Sequence, residues 1–171
     1  SIIAARGEAA AMEWAKGVKA NLARRPQGND RAQIKAVYHG ECDVALGNTY
    51  YMGKMATNAK SPVQKKWAAS VNLIFPNQGG RGTHVNISGA GVTKSAKNRA
   101  DAVKLIEFLS GVAAQKIYAE GNFEYPVRSD VAWHPMVASW GEFKPDSVYL
   151  SKVAEYRGMA SRIMDKVRFN N

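Results

Sequence analysis

Ala11, Trp14, Ala15, Val18 and Leu22 recur at the spacing of one helix face, which predicts an amphipathic helix over 8–23. The stretch RRPQG ends it, because proline and glycine both interrupt helical backbone. Asn29 or Asp30 then caps a second helix through Ile34, Val37 and Tyr38, closed by Gly40. CDVALG follows, a short continuous apolar run of the kind found in buried parallel strands. The first half of the lysine-rich stretch from Lys54 to Lys66 continues as helix, and VNLIFP reads as the next strand, stopped by Pro76. NQGGRG is a glycine turn, and HVNISGAGVTK a further strand interrupted by Gly89 and Gly91. KNRADAVKLIEFLSG carries the clearest helix: Asn98 caps it, Ala102, Val103, Ile106 and Leu109 share a face, and Gly111 ends it. VAAQKIYAEG forms a shorter helix, YPV is extended ahead of its proline, and one last helix spans 147–167.

Strands alternating with helices argue for an α/β architecture. The chain changes character near 70–80 and near 125–130, each time combining proline with an extended segment. These points read as crossings between two lobes. A length of 171 residues, 46% hydrophobic, suits one globular domain or two small lobes. No run is long and apolar enough to span a bilayer, and no basic start leads into an apolar stretch as in a signal peptide. The start at Ser1, with no initiator Met, reads as a processed or truncated piece.

The single cysteine, Cys42, excludes a disulfide framework and a cysteine zinc site, and its apolar neighbours predict a small buried hydrophobe. The net charge of +10 comes from 24 Lys+Arg against 14 Asp+Glu spread along the chain. Without stacking aromatics or a recognition motif, that charge predicts a solvated basic surface and no nucleic-acid partner. His39, His84 and His134 lack metal-ligand spacing. The glycines match neither a P-loop nor a dinucleotide fingerprint, and no Gly-x-Ser-x-Gly elbow occurs.

The distinctive chemistry lies in GNTYYMGK. If Asn48 or Thr49 caps a helix, Tyr50 and Tyr51 diverge by only ~100° and both rings lean into one cleft. Lys54, four residues after Tyr50, shares its face and favours a phenolate. A phenol is a poor anion at neutral pH, but a trivalent cation reverses that. Hard anionic oxygens suit ferric iron better than copper(I) or zinc. The bland alternative packs one ring in the core and leaves the other on the surface. At the crowded helix start Asn29, Asp30, Arg31 and Gln33, capping competes with anion binding.

Taken in order, GECDVALGNTYYMGK, VNLIFPNQGGRGTHVNISGAGVTKSAKNRADAVKLIEFLSG and NFEYPV resemble the ferric-iron-binding periplasmic proteins of bacterial iron ABC transporters, in particular the cyanobacterial-type branch. The likeness runs from about Ser1 to about Phe169. It implies a two-lobe, type II periplasmic binding fold that closes on Fe3+ and docks on a membrane permease, with no catalysis. By that resemblance Tyr50 and Tyr51 are iron ligands, and Lys54 stands where some relatives carry an arginine facing the site. Asn48 and Asn29 match positions that hold a synergistic anion. Family members are much longer, so the chain corresponds to their carboxyl-terminal half. A missing amino-terminal half would carry the remaining ligands. The implied division is 1–75 in the carboxyl-terminal lobe, 76–127 in the amino-terminal lobe and 128–171 returning to the first. Competing readings are a binding protein for an organic anion or polyamine, or a basic module for nucleic acid or membrane surfaces.

Overall fold

The computed structural model describes residues 1–170. Among these, the regular elements are helices: α1 (Ile2–Ala20), α2 (Asp30–Tyr38), α3 (Thr49–Ala56), α4 (Pro62–Ala69), α5 (Arg99–Ser110), α6 (Val112–Asn122), α7 (Pro135–Ser139), α8 (Leu150–Glu155) and α9 (Arg157–Lys166). The helix starts follow the caps read from sequence. Asn29 precedes α2 and accepts the Ala32 N–H, Asn48 precedes α3, and Asn98 precedes α5. Two helices escaped the periodicity. α4 begins at Pro62 and α7 at Pro135, each using proline where a helix has no N–H partner to lose. The expected tail helix is two, broken at Tyr156.

The helices pack in two groups. α1 lies against α8 and α9, with Ile3, Ala11, Ala15 and Ile163 buried between them. Small alanines let α1 approach closely, while Trp14, expected on the same stripe, stays 42% exposed. Lys19 fastens the two ends of this group by donating to the carbonyls of Val167 (2.9 Å) and Arg168 (2.6 Å). In the other group α2, α3 and α4 pack on one another, α3 touches α6, and α6 carries α5.

The expected strands over 42–47, 71–76 and 84–94 have no ladder among the described residues; the one bridge is an isolated parallel pair, Thr83 with Pro145. An apolar run becomes a strand only when a neighbour satisfies its backbone donors and acceptors. None does so here, and the side chains are correspondingly bare: Val44, Leu46 and Ile74 are all more than 70% exposed. Cys42, expected to be buried, is half-buried for the same reason. The surface totals 11810 Å², whereas a compact monomer of 18.6 kDa exposes about 8,200 Å². The excess, more than 3,000 Å², is comparable with a large obligate interface.

The bridge sits in a tight junction between 76–83 and 144–146. Thr83 N–H donates to Lys144 O (2.9 Å) and Asp146 N–H to Thr83 O (2.7 Å). Gly82, at φ +95, lies so close to the Lys144 and Pro145 carbonyls that a Cβ would come within 2.6 Å of both oxygens. Arg81 donates to the almost fully buried Asp146 carboxylate at 2.6 Å. Beside the junction, Phe75 stacks on Phe143, and Tyr125 meets both Phe143 and Trp133 edge-on.

Candidate functional site

Two short helices meet at their amino ends. Asn29 caps α2 by accepting from Ala32 N–H at 3.1 Å, which commits its side-chain oxygen to the helix. Asp30, the first residue of α2, reaches the start of α3. Its Oδ1 accepts from the Asn48 backbone N–H (2.7 Å) and from Asn48 Nδ2 (3.0 Å). Asn48 therefore occupies the N-cap position of α3 without capping it through its own side chain. This Asp30 tether fixes how the first turn of α3 presents its side chains.

That turn carries Tyr50 and Tyr51, both half-buried, with ring centroids 4.4 Å apart and planes tilted by 34°. The two rings are neighbours, neither separated onto different surfaces nor sunk into the interior. Each has a cation on its face. Lys54 Nζ lies 5.2 Å from the centre of the Tyr50 ring, and the Arg31 guanidinium carbon lies 5.1 Å from that of Tyr51. Arg31 Nε is buried with no hydrogen-bond partner. Tyr50, Tyr51, Lys54 and Asn48 are thus brought together, with Asn29 one residue before the Asp30 tether.

Arg31 and Asp30 had only a crowded helix start to mark them. Glu124, whose charge acts on Tyr50, had no local signal at all, since only the fold brings it near. The hydrogen bond with Tyr51 is the main reason that the Tyr50 phenol is pushed up to about 12, helped by burial, by Tyr51 itself and by the negative charges of Asp30 and Glu124. Left to itself at neutral pH, Tyr50 keeps its proton. Because this acid titrates higher folded than unfolded, its contribution to stability is fully present below pH 10.0 and is lost as pH rises through about 12. Replacing Tyr51 by Phe removes the main cause, and the Tyr50 titration, followed by phenolate absorbance, is expected to fall back towards 10.0.

Tyr125 is also pushed up, by burial, but its buried hydroxyl lies in the aromatic group beside the junction. Of the histidines, His39 caps the carboxyl end of α2, and His134 caps α7 by accepting from Met136 N–H at 3.0 Å. Among the described residues, no group of three or more His, Cys, Asp or Glu side chains converges as an ion site. The phenol pair is the place where hard oxygen donors stand side by side.

Residues 1–145 match the bacterial extracellular solute-binding protein family. Iron uptake protein A1 of Synechocystis sp. is 51% identical over 166 residues, covering 97% of this chain and 46% of that protein. Two solved structures are closely similar. The ferric binding protein from Campylobacter jejuni superposes with a TM-score of 0.94 at 46% identity, covering 98% of this chain and 52% of the other. A Trichodesmium protein (IdiA, FutA) in complex with iron and citrate ligands gives a TM-score of 0.91 at 46% identity, with the same coverage. The chain spans about half the length of the relatives it matches.

Proposed function

Since the chain belongs to the bacterial extracellular solute-binding protein family, we propose that it is the carboxyl-terminal part of a periplasmic ferric-iron carrier serving an ABC transporter permease. The observation that carries this reading is the Tyr50–Tyr51 pair at the first turn of α3, with Lys54 and Arg31 on its faces. Ferric iron is the cargo, and the protein does no chemistry on it. Tyr50 and Tyr51 supply two phenolate oxygens to the ion, whose own charge drives their deprotonation. Tyr50 starts protonated, so loading must expel a proton, and affinity must rise with pH.

In this reading 1–75 and 128–171 form one lobe, and 76–127 belongs to the other. The packing of α1 on α8 and α9 supports the first grouping, and the contact of α6 with α3 at Phe123 and Gly53 is then where the two lobes meet. Iron bridging the lobes would shift an open–closed equilibrium, with hinges at the two crossings. An amino-terminal half would complete the donor set and cover the bare apolar positions. Support for that partner comes from the unpaired segments at 42–47 and 84–94, and from Leu105, Phe108 and Ile117, which lie more than half exposed on α5 and α6.

Titration with ferric citrate tests the reading. A visible phenolate-to-iron absorption band and release of at least one proton per iron are the expected results. A protein that stays colourless at saturating iron overturns it.

A further inference from the structure

Phe123 closes α6 with a left-handed backbone, φ 57 and ψ 32, where a bulky residue is out of place. Its ring is buried at 6% exposure and lies directly on α3. The contact falls at Gly53, where a Cβ would come within 2.3 Å of the ring. His134 backs the ring edge-on, with centroids 4.7 Å apart, and is itself fixed as the cap of α7. A strained backbone held from two sides is over-determined by its surroundings, a pattern that clusters at functional sites. Gly53 stands three residues after Tyr50 and two after Tyr51, so whatever seats Gly53 also seats the phenol pair.

The residues flanking Phe123 are fixed as well. Asn122 Nδ2 donates to one carboxylate oxygen of Glu124, and Ser88 Oγ donates to the other at 3.1 Å. Glu124 is half-buried and directly follows Phe123, whose ring lies on Gly53 of α3. The carboxylate thus ties the end of α6 to the unpaired segment at 84–94.

We infer that the turn 122–124 is a positioning element of the cation site: Phe123, seated on Gly53, sets the depth and rotation of α3, and Glu124, anchored next to that seat, is a fixed negative charge at the site's edge. This inference rests on the ferric reading and names two site residues that reading does not use. A trivalent ion gains from every fixed anion near it, so Glu124 adds to its attraction even without touching it.

The test compares three variants and one control variant with the wild-type chain by ferric citrate titration, following the visible band, the affinity and the acid midpoint of iron release. Glu124→Gln keeps shape and removes charge, and is expected to weaken ferric binding about tenfold and to raise the pH at which iron is lost. Gly53→Ala displaces the ring and is expected to shift the band and lower affinity about tenfold. Phe123→Leu withdraws the ring without adding an atom at Gly53, and covers the case in which Gly53→Ala does not fold. Gly17→Ala, on α1 with nothing within 4 Å of the new Cβ, is the control and should bind as wild type. Folded Glu124→Gln and Phe123→Leu proteins with wild-type band, affinity and acid midpoint overturn the inference. So does a loss of stability with the band and affinity unchanged. A wild-type chain without a band overturns the ferric reading itself, and the inference falls with it.

Discussion

Tyr50→Phe and Tyr51→Phe together are expected to abolish the visible band and to weaken ferric binding by about a thousandfold, on the order of 4 kcal/mol. Phenylalanine keeps the ring and loses the oxygen. The pair is half-buried at the start of α3, so the double variant should keep its fold and lose only the stability contributed by the hydrogen bond between the two phenols. What disappears is the anionic donor set. Lys54 and Arg31 would then face a trivalent ion with no phenolate between them, and the local field turns from attractive to repulsive. The measurement is competition against citrate at fixed pH, with a urea unfolding curve on the same sample. Equal affinity in wild type and double variant would remove the phenol pair from the site.

Arg81→Ala is expected to destabilise the fold by roughly 3–5 kcal/mol, the range for removing one partner of a buried ion pair. The Asp146 side chain is 2% exposed and the Arg81 side chain 22%, so deletion leaves a carboxylate almost out of water with its countercharge gone. The Val148 N–H donor at 3.1 Å stays, but it cannot replace a full charge at 2.6 Å. Since domains are stable by only about 5–15 kcal/mol, the loss should be conspicuous in a urea midpoint. The double variant Arg81→Ala, Asp146→Ala should be less damaged than the single one, because no unpaired charge remains. A single variant within about 1 kcal/mol of wild type would mean that water reaches Asp146 freely.

The helices were legible in the chain because their hydrogen bonds are local. Asn29, Asn48 and Asn98 announce helix starts, and Gly111 ends α5 as its sequence predicts. The face expected on α5 is a different matter: the periodicity is present, yet no residue of α5 is buried. Periodicity identifies the face and says nothing about whether another element covers it. The strands failed for a related reason. CDVALG, VNLIFP and HVNISGAGVTK have strand-like composition, but a ladder needs a second backbone, and 1–170 supplies none. The adjacent tyrosines and Lys54 could be read directly, being within one helical turn of one another. Glu124 and the seat of Phe123 on Gly53 could not, since they join segments remote in sequence.

The clasp between α1 and α9 has a consequence for biosynthesis. Ala15 and Ile163 share one core, and Lys19 is bound to carbonyls at 167 and 168, so α1 cannot find its partner until residues 163–168 have left the ribosome. At about 5–20 residues per second, that wait lasts roughly 7–30 s. During it, the apolar stripe of α1 is an exposed stretch of nascent polypeptide, and this part of the molecule acquires its shape only after translation has passed it by.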